Sequence, residues 1–117
     1  MLVLSVSMPK ALITGASGFV GPYLAKHLKT LGYEVWGSSL SQGDSEDFQG
    51  VVLDIQNTEA VKETIAKIAP DEIYHLASLS RPALRRIREY YDVNLYGTLN
   101  VLGAAKTVNA KTLVVST

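Results

Sequence analysis

Apolar positions along this chain fall into two alternating patterns. Short, mostly apolar blocks at residues 11–13, 33–38, 51–54, 72–77 and 112–116 have the length and character of buried parallel strands. Between them apolar residues repeat at helical spacing. Val20, Leu24, Leu28 and Leu31 make the first stripe, with Gly32 where a helix C-cap belongs. Val61, Ile65 and Ile68 make the second, behind a cap at Asn57 or Thr58 and ahead of a break at Pro70-Asp71. A third helix is expected over about 87–108. Strands alternating with helices through short links predict an α/β fold: a three-layer, doubly wound parallel sheet of order 3-2-1-4-5, truncated after strand 5. Its ligand crevice would open between the ends of strands 1 and 4.

The third helix carries two stripes. Leu84, Tyr91, Leu95, Leu99 and Leu102 lie along one, and Val93, Gly97, Val101, Ala104 and Val108 lie nearly opposite. One apolar face covers the sheet, and a second calls for another helix. Gly97 and Gly103, each costing roughly 1 kcal/mol inside a helix, point to close approach. The second face meets either a neighbouring helix of this chain or a second copy. The sequence has no later helix, so a homodimer through 87–108 is expected.

Composition narrows the classes. At 117 residues the chain is read as one domain over 1–117, with residues 1–8 an apolar extension too short for a membrane span or signal. Eleven basic and eleven acidic residues cancel, which favours neither a nucleic-acid nor a membrane partner. Without cysteine there is no disulfide or thiolate chemistry, no metal site is expected, and a cytoplasmic location is the default reading. Residues 38–50 read as a polar loop. Arg81, Arg85, Arg86 and Arg88 read as a solvated basic face.

The chemistry concentrates where the first strand meets the first helix. Gly15, Gly18 and Gly21 stand between them. A helix N-terminus offers unpartnered amides and the positive end of its dipole, which together hold anions. Gly15 would allow the tight turn, Gly18 the approach of a pyrophosphate, and Gly21 the packing of helix on strand. The alternative is an ordinary turn whose glycines serve only the backbone.

Thr14-Gly15-x-x-Gly18-x-x-Gly21, within the run 11–21, resembles the cofactor loop of the extended short-chain dehydrogenases/reductases, the NAD-dependent epimerase/dehydratase family. Within it the chain is most similar to the branch acting on nucleotide sugars, GDP-sugar dehydratases and reductases above all. The resemblance covers about residues 10–117 and implies a Rossmann domain binding NADP or NAD. It places Gly15, Ser17, Gly18, Phe19, Val20 and Gly21 at the pyrophosphate. It places Ser38 and Ser39 at the adenosine ribose, where the family's NAD-selecting acid would be Ser39 and its NADP-selecting Arg would be Leu40. Neither determinant is present, and the missing carboxylate leans the reading toward NADP.

Asp54-Ile55 looks like the family's pair that brackets adenine, although Asp54 could equally serve a turn or cap. Leu76, Ala77 and Ser78 match a segment whose backbone lines the cofactor. His75 before them reads as a packed strand residue, and His27 as solvent-facing. Val93-Asn94-x-x-Gly97-Thr98 matches a motif whose Asn supports a proton relay, and Thr117 aligns with an assisting hydroxyl. The family's Tyr-x-x-x-Lys pair is missing: none of the six tyrosines has Lys four residues on. The resemblance therefore implies the cofactor part of a nucleotide-sugar oxidoreductase, dehydratase or epimerase, with the substrate lobe absent and no turnover by this chain alone. A non-catalytic binding or dimerisation module, or an inactive remnant, are the alternatives.

Overall fold

The computed structural model describes residues 8–41, 45–77 and 92–115. Its elements are β1 (Lys10–Thr14), α1 (Gly21–Thr30), β2 (Glu34–Ser39), β3 (Gln49–Val52), α2 (Thr58–Ile68), β4 (Glu72–His75), a π-helical stretch Asp92–Gly97 running into α3 (Thr98–Thr107), and β5 (Lys111–Val114). The five strands form one parallel sheet in the order β3-β2-β1-β4-β5. This is the doubly wound Rossmann topology that the alternating pattern predicts.

β1 lies at the centre and is buried on both faces. Ala11 and Ile13 turn toward α1, joining Ala16, Ala25, Leu28 and Val35. Leu12 turns the other way and joins Ile73, Leu53, Ile55, and the buried faces of α2 and α3. Asn57 caps α2 through its side chain, which accepts from the Ala60 amide, and Val61, Ile65 and Ile68 are its buried residues as expected. Ala69, in the left-handed region, ends α2 directly before Pro70.

Several expectations need correction. The buried face of α1 is Gly21, Ala25 and Leu28, with Leu24 only partly covered, whereas Val20 and Leu31 are exposed. The helix begins one residue after Val20 and packs so tightly on the preceding turn that a Cβ at Gly21 would overlap the Ala16 carbonyl group. Small residues therefore take the contact face, and the larger ones fall beyond its edges.

β3 stops at Val52, two residues early, because Asp54 begins a turn: its carboxylate accepts from the Gln56 amide and its carbonyl from Asn57. β4 stops at His75, because the amides of Leu76 and Ala77 turn to the Thr14 side chain. The third helix is not uniformly α-helical, its first described turns being π-helical. Its expected start, with Leu84 and Tyr91, lies outside the described residues. Of its two stripes, Val101 and Ala104 are buried and Val93 packs partly on the core, while Leu95, Leu99 and Leu102 are exposed. Gly97 is closely approached, but by Ile55 of the same chain, whose Cδ1 would lie 2.6 Å from an added Cβ; Gly103 faces open space.

Candidate cofactor site

The turn between β1 and α1 is shaped by contacts that exclude side chains. Gly15 has a φ of 68°, and a Cβ there would lie 2.8 Å from the backbone of Ala77. The Ala16 amide donates to the Ser38 carbonyl at 2.9 Å, tying the turn to the end of β2. The Gly18 amide donates to the Gly15 carbonyl at 3.1 Å and so closes the turn on itself. Among the described residues, the amides of Ser17, Phe19 and Val20 donate to nothing.

The start of α1 is open in a way that α2 is not. It has no side-chain cap and no acidic residue in its first turn, and Pro22 removes one of the donors that would need satisfying. α2, by contrast, has the Asn57 cap and Glu59 in its first turn. An uncapped helix start presents partial positive charge from the backbone alone, and Ser17 and Gly18 of the turn ahead of it line a cleft.

That cleft, about 350 Å³, is bounded by the glycine turn, the end of β2 and the loop after β3; Leu76, Ala77 and Val93 close it. Of the residues expected at a cofactor, it brings together Gly15, Ser17, Gly18, Ser38, Ser39, Asp54, Ile55, Leu76 and Ala77. Phe19, Val20 and Gly21 do not line it. Phe19 is exposed with its ring 6.0 Å from that of Tyr23, Val20 is exposed, and Gly21 is buried beneath the turn. Ser78 and Thr117 lie outside the described residues. Asn94 is half-buried beside Val93, and its carbonyl accepts from the Thr98 hydroxyl at 2.8 Å.

Among the described lining residues Asp54 is the one ionisable side chain, and no basic side chain enters. Any anion here would be held by amides and the helix dipole. Asp54 serves the turn and lines the cleft at once, so both readings of it apply. Ser39 donates its hydroxyl to the Ser41 carbonyl at 2.6 Å, leaving lone pairs for a guest.

Three polar residues position the walls: Asn100, which no motif includes, and Thr14 and Thr98, which belong to the two motifs but are assigned no role of their own by them. Asn100 on α3 donates to the Ile55 carbonyl at 2.9 Å and accepts from the Thr58 hydroxyl at 3.1 Å, clamping the loop after β3. Thr14 and Thr98 flank His75, a buried strand residue as expected: Nδ1 lies 2.6 Å from the Thr14 hydroxyl and Nε2 lies 2.9 Å from that of Thr98. Burial pushes the His75 pKa down. The available signal was that a Thr ending a buried strand needs a polar partner. His27 is exposed.

Residues 11–117 match the NAD dependent epimerase/dehydratase family. The chain is 34% identical over 114 residues to a UDP-glucuronic acid decarboxylase 1 of Danio rerio, covering 92% of this chain and 27% of that protein. It is 32% identical over 107 residues to a GDP-6-deoxy-D-talose 4-dehydrogenase of Aggregatibacter actinomycetemcomitans, covering 89% and 33%. The crystal structure of UDP-glucose 4-epimerase from Brucella ovis in complex with NAD superimposes with a TM-score of 0.78 at 26% identity, covering 91% of this chain and 35% of that one. The chain thus spans about a third or less of the length of these relatives.

Proposed function

The chain belongs to the NAD dependent epimerase/dehydratase family, and from that premise we propose that it is the dinucleotide-binding part of a nucleotide-sugar enzyme. The observation that carries this reading is the uncapped start of α1, with the unused Ser17, Phe19 and Val20 amides beside a cleft of about 350 Å³. Residues 1–117 form one binding domain in this reading. The pyrophosphate lies over Ser17 and Gly18, which line the cleft, with the open amides of Phe19 and Val20 next to them in the chain. Adenine lies between Asp54, Ile55 and Val93, with the Leu76–Ala77 backbone along the remaining wall; a cofactor role for Ser78 rests on the motif alone. Gly15 and Gly21 act from beneath by keeping the turn tight.

The bound dinucleotide would supply or accept hydride. This chain holds no Tyr-x-x-x-Lys pair to move the accompanying proton, so it binds without turning over, with Asn94 and Thr117 in supporting places only. Relatives named for UDP-sugars and for a GDP-sugar both support a nucleotide sugar as the substrate class of the whole enzyme. The guanine preference rests on motif resemblance alone. A binding module without a catalytic partner is the alternative, and its discriminating sign is dinucleotide affinity with no response to any nucleotide sugar. A cytoplasmic setting fits the cysteine-free, charge-balanced sequence.

Between the two dinucleotides, the missing acid at Ser39 favours NADP. The Ser39 hydroxyl argues the other way: with its proton committed to Ser41, it offers lone pairs to a ribose hydroxyl and no donor to a phosphate. We read the site as favouring NADH. Calorimetric titration with NADH and NADPH tests both levels. Tighter NADH binding supports the reading, NADPH preference reverses the choice of cofactor, and no heat from either with a folded chain overturns the function. Gly18→Asp, which sets a carboxylate against the pyrophosphate, should weaken NADH binding at least about 100-fold; unchanged affinity would remove the turn from the site.

A further inference from the structure

We propose that His75 is a positioning residue for the dinucleotide cleft: as a neutral ring with a bare Nδ1 it orients the Thr14 hydroxyl that holds the Leu76–Ala77 wall, and a second proton on the ring loosens that wall. The proposal rests on the dinucleotide reading above and extends it to how the site is held.

The number of protons available fixes the direction of each hydrogen bond around the ring. The Thr14 oxygen accepts from the Ala77 amide at 3.2 Å and from the Leu76 amide at 3.1 Å, the latter shared with the Thr14 carbonyl. A hydroxyl has two lone pairs and one proton. With both lone pairs engaged, its proton goes to the remaining neighbour, His75 Nδ1, at 2.6 Å. Nδ1 is therefore an acceptor and carries no hydrogen. At the far side of the ring, Thr98 donates to the Asn94 carbonyl at 2.8 Å, because a carbonyl can only accept. The Thr98 oxygen is then free to accept from His75 Nε2 at 2.9 Å. One chain of hydrogen bonds, with one direction throughout, joins β1, β4 and α3 through a neutral imidazole.

A proton added at Nδ1 would meet the Thr14 proton. To accommodate it, the Thr14 oxygen would have to accept from three donors, so one of the Leu76 and Ala77 bonds must give way. Those two residues line the cleft, and the Ala77 backbone is what Gly15 packs against. From the packed elements the ring meets Thr14 on β1 and Thr98 on α3, while β5 sets Val114 at its register position. None of these is titratable or charged. Burial alone lowers the His75 pKa below its ordinary 6.5, so the ring stays neutral at physiological pH.

Long-range proton–nitrogen spectra of the full chain read the tautomer directly, and NADH calorimetry on lowering the pH from about 8 to about 5 reads its consequence. The expected spectrum shows a bare Nδ1 and a protonated Nε2 near neutral pH. NADH affinity should fall about tenfold as His75 takes its second proton. His75→Leu should show a loss of that size already at neutral pH. His75→Asn, whose Oδ1 can accept where Nδ1 did, should recover most of it and respond little to pH. The comparison of wild type with His75→Asn decides the matter without the leucine variant. A protonated Nδ1 at neutral pH in a chain that binds NADH, or one pH profile shared by wild type and His75→Asn, overturns the role of His75 alone. The expected tautomer in a chain that binds no NADH at any pH overturns the dinucleotide reading, and this role with it.

Discussion

At the scale of single residues, the structure shows which side chains depend on a proton. Glu72 receives two phenols, from Tyr33 at 3.0 Å and Tyr74 at 2.9 Å, one on each carboxylate oxygen. Burial, reinforced by that hydrogen bond, holds the Tyr74 pKa up at about 12, while the bond to Glu72 is the leading cause of a rise at Tyr33. A folded-state pKa above the unfolded value of 10.0 means that the folded chain holds the proton more tightly. The resulting stability is complete below that unfolded value and is lost as pH climbs toward about 12. Urea midpoints measured through that range should fall steeply for wild type and less steeply for Tyr74→Phe; equal slopes would remove Tyr74 from the account. The pairing itself could not be read beforehand. Tyr33 and Glu72 stand 39 positions apart, and Thr14 and His75 stand 61 apart, so neither contact leaves a trace in local spacing. Gly15 and Gly18 were legible for the opposite reason, because a tight turn ahead of a helix writes its backbone demands into adjacent positions.

At the scale of elements, the best-read helix is α2, where cap, stripe and terminator agree. Its Asn57 side chain satisfies an amide that would otherwise lack a partner, so Asn57→Ala should cost about 1 kcal/mol of unfolding free energy. Chemical denaturation with unchanged m-value would show it, and Asn57→Asp should retain most of the stability. α1 was read less well because its contact face is made of Gly21 and Ala25, which periodicity arguments underweight. The spacing of Val20 and Leu31 suggested burial, but helix position decides it, and both fall at the ends. In the third helix the two stripes were legible, whereas the π-helical stretch was not. It sits where Gly97 is pressed by Ile55, a contact set by tertiary packing.

At the scale of the whole molecule, sheet order followed from the alternation of strand and helix, since right-handed crossovers leave few arrangements. What the outer surface does is a separate matter. Leu95, Leu99 and Leu102 present an apolar strip on the π-helical stretch and α3, and we propose that a second copy of the chain covers it. Sedimentation should show a dimer for wild type and a monomer for the pair Leu99→Glu and Leu102→Glu; a monomeric wild type at high concentration would count against it. The open start of α1 has a consequence of a different kind. A helix start without a side-chain cap leaves amides for a guest to satisfy, so a dinucleotide bound there would add to the stability of the fold by mass action. Since Phe19 and Tyr23 are exposed at that start, added dinucleotide should slow proteolysis of the Phe19–Tyr23 region if it binds there, and an unchanged cleavage rate would count against binding at this turn.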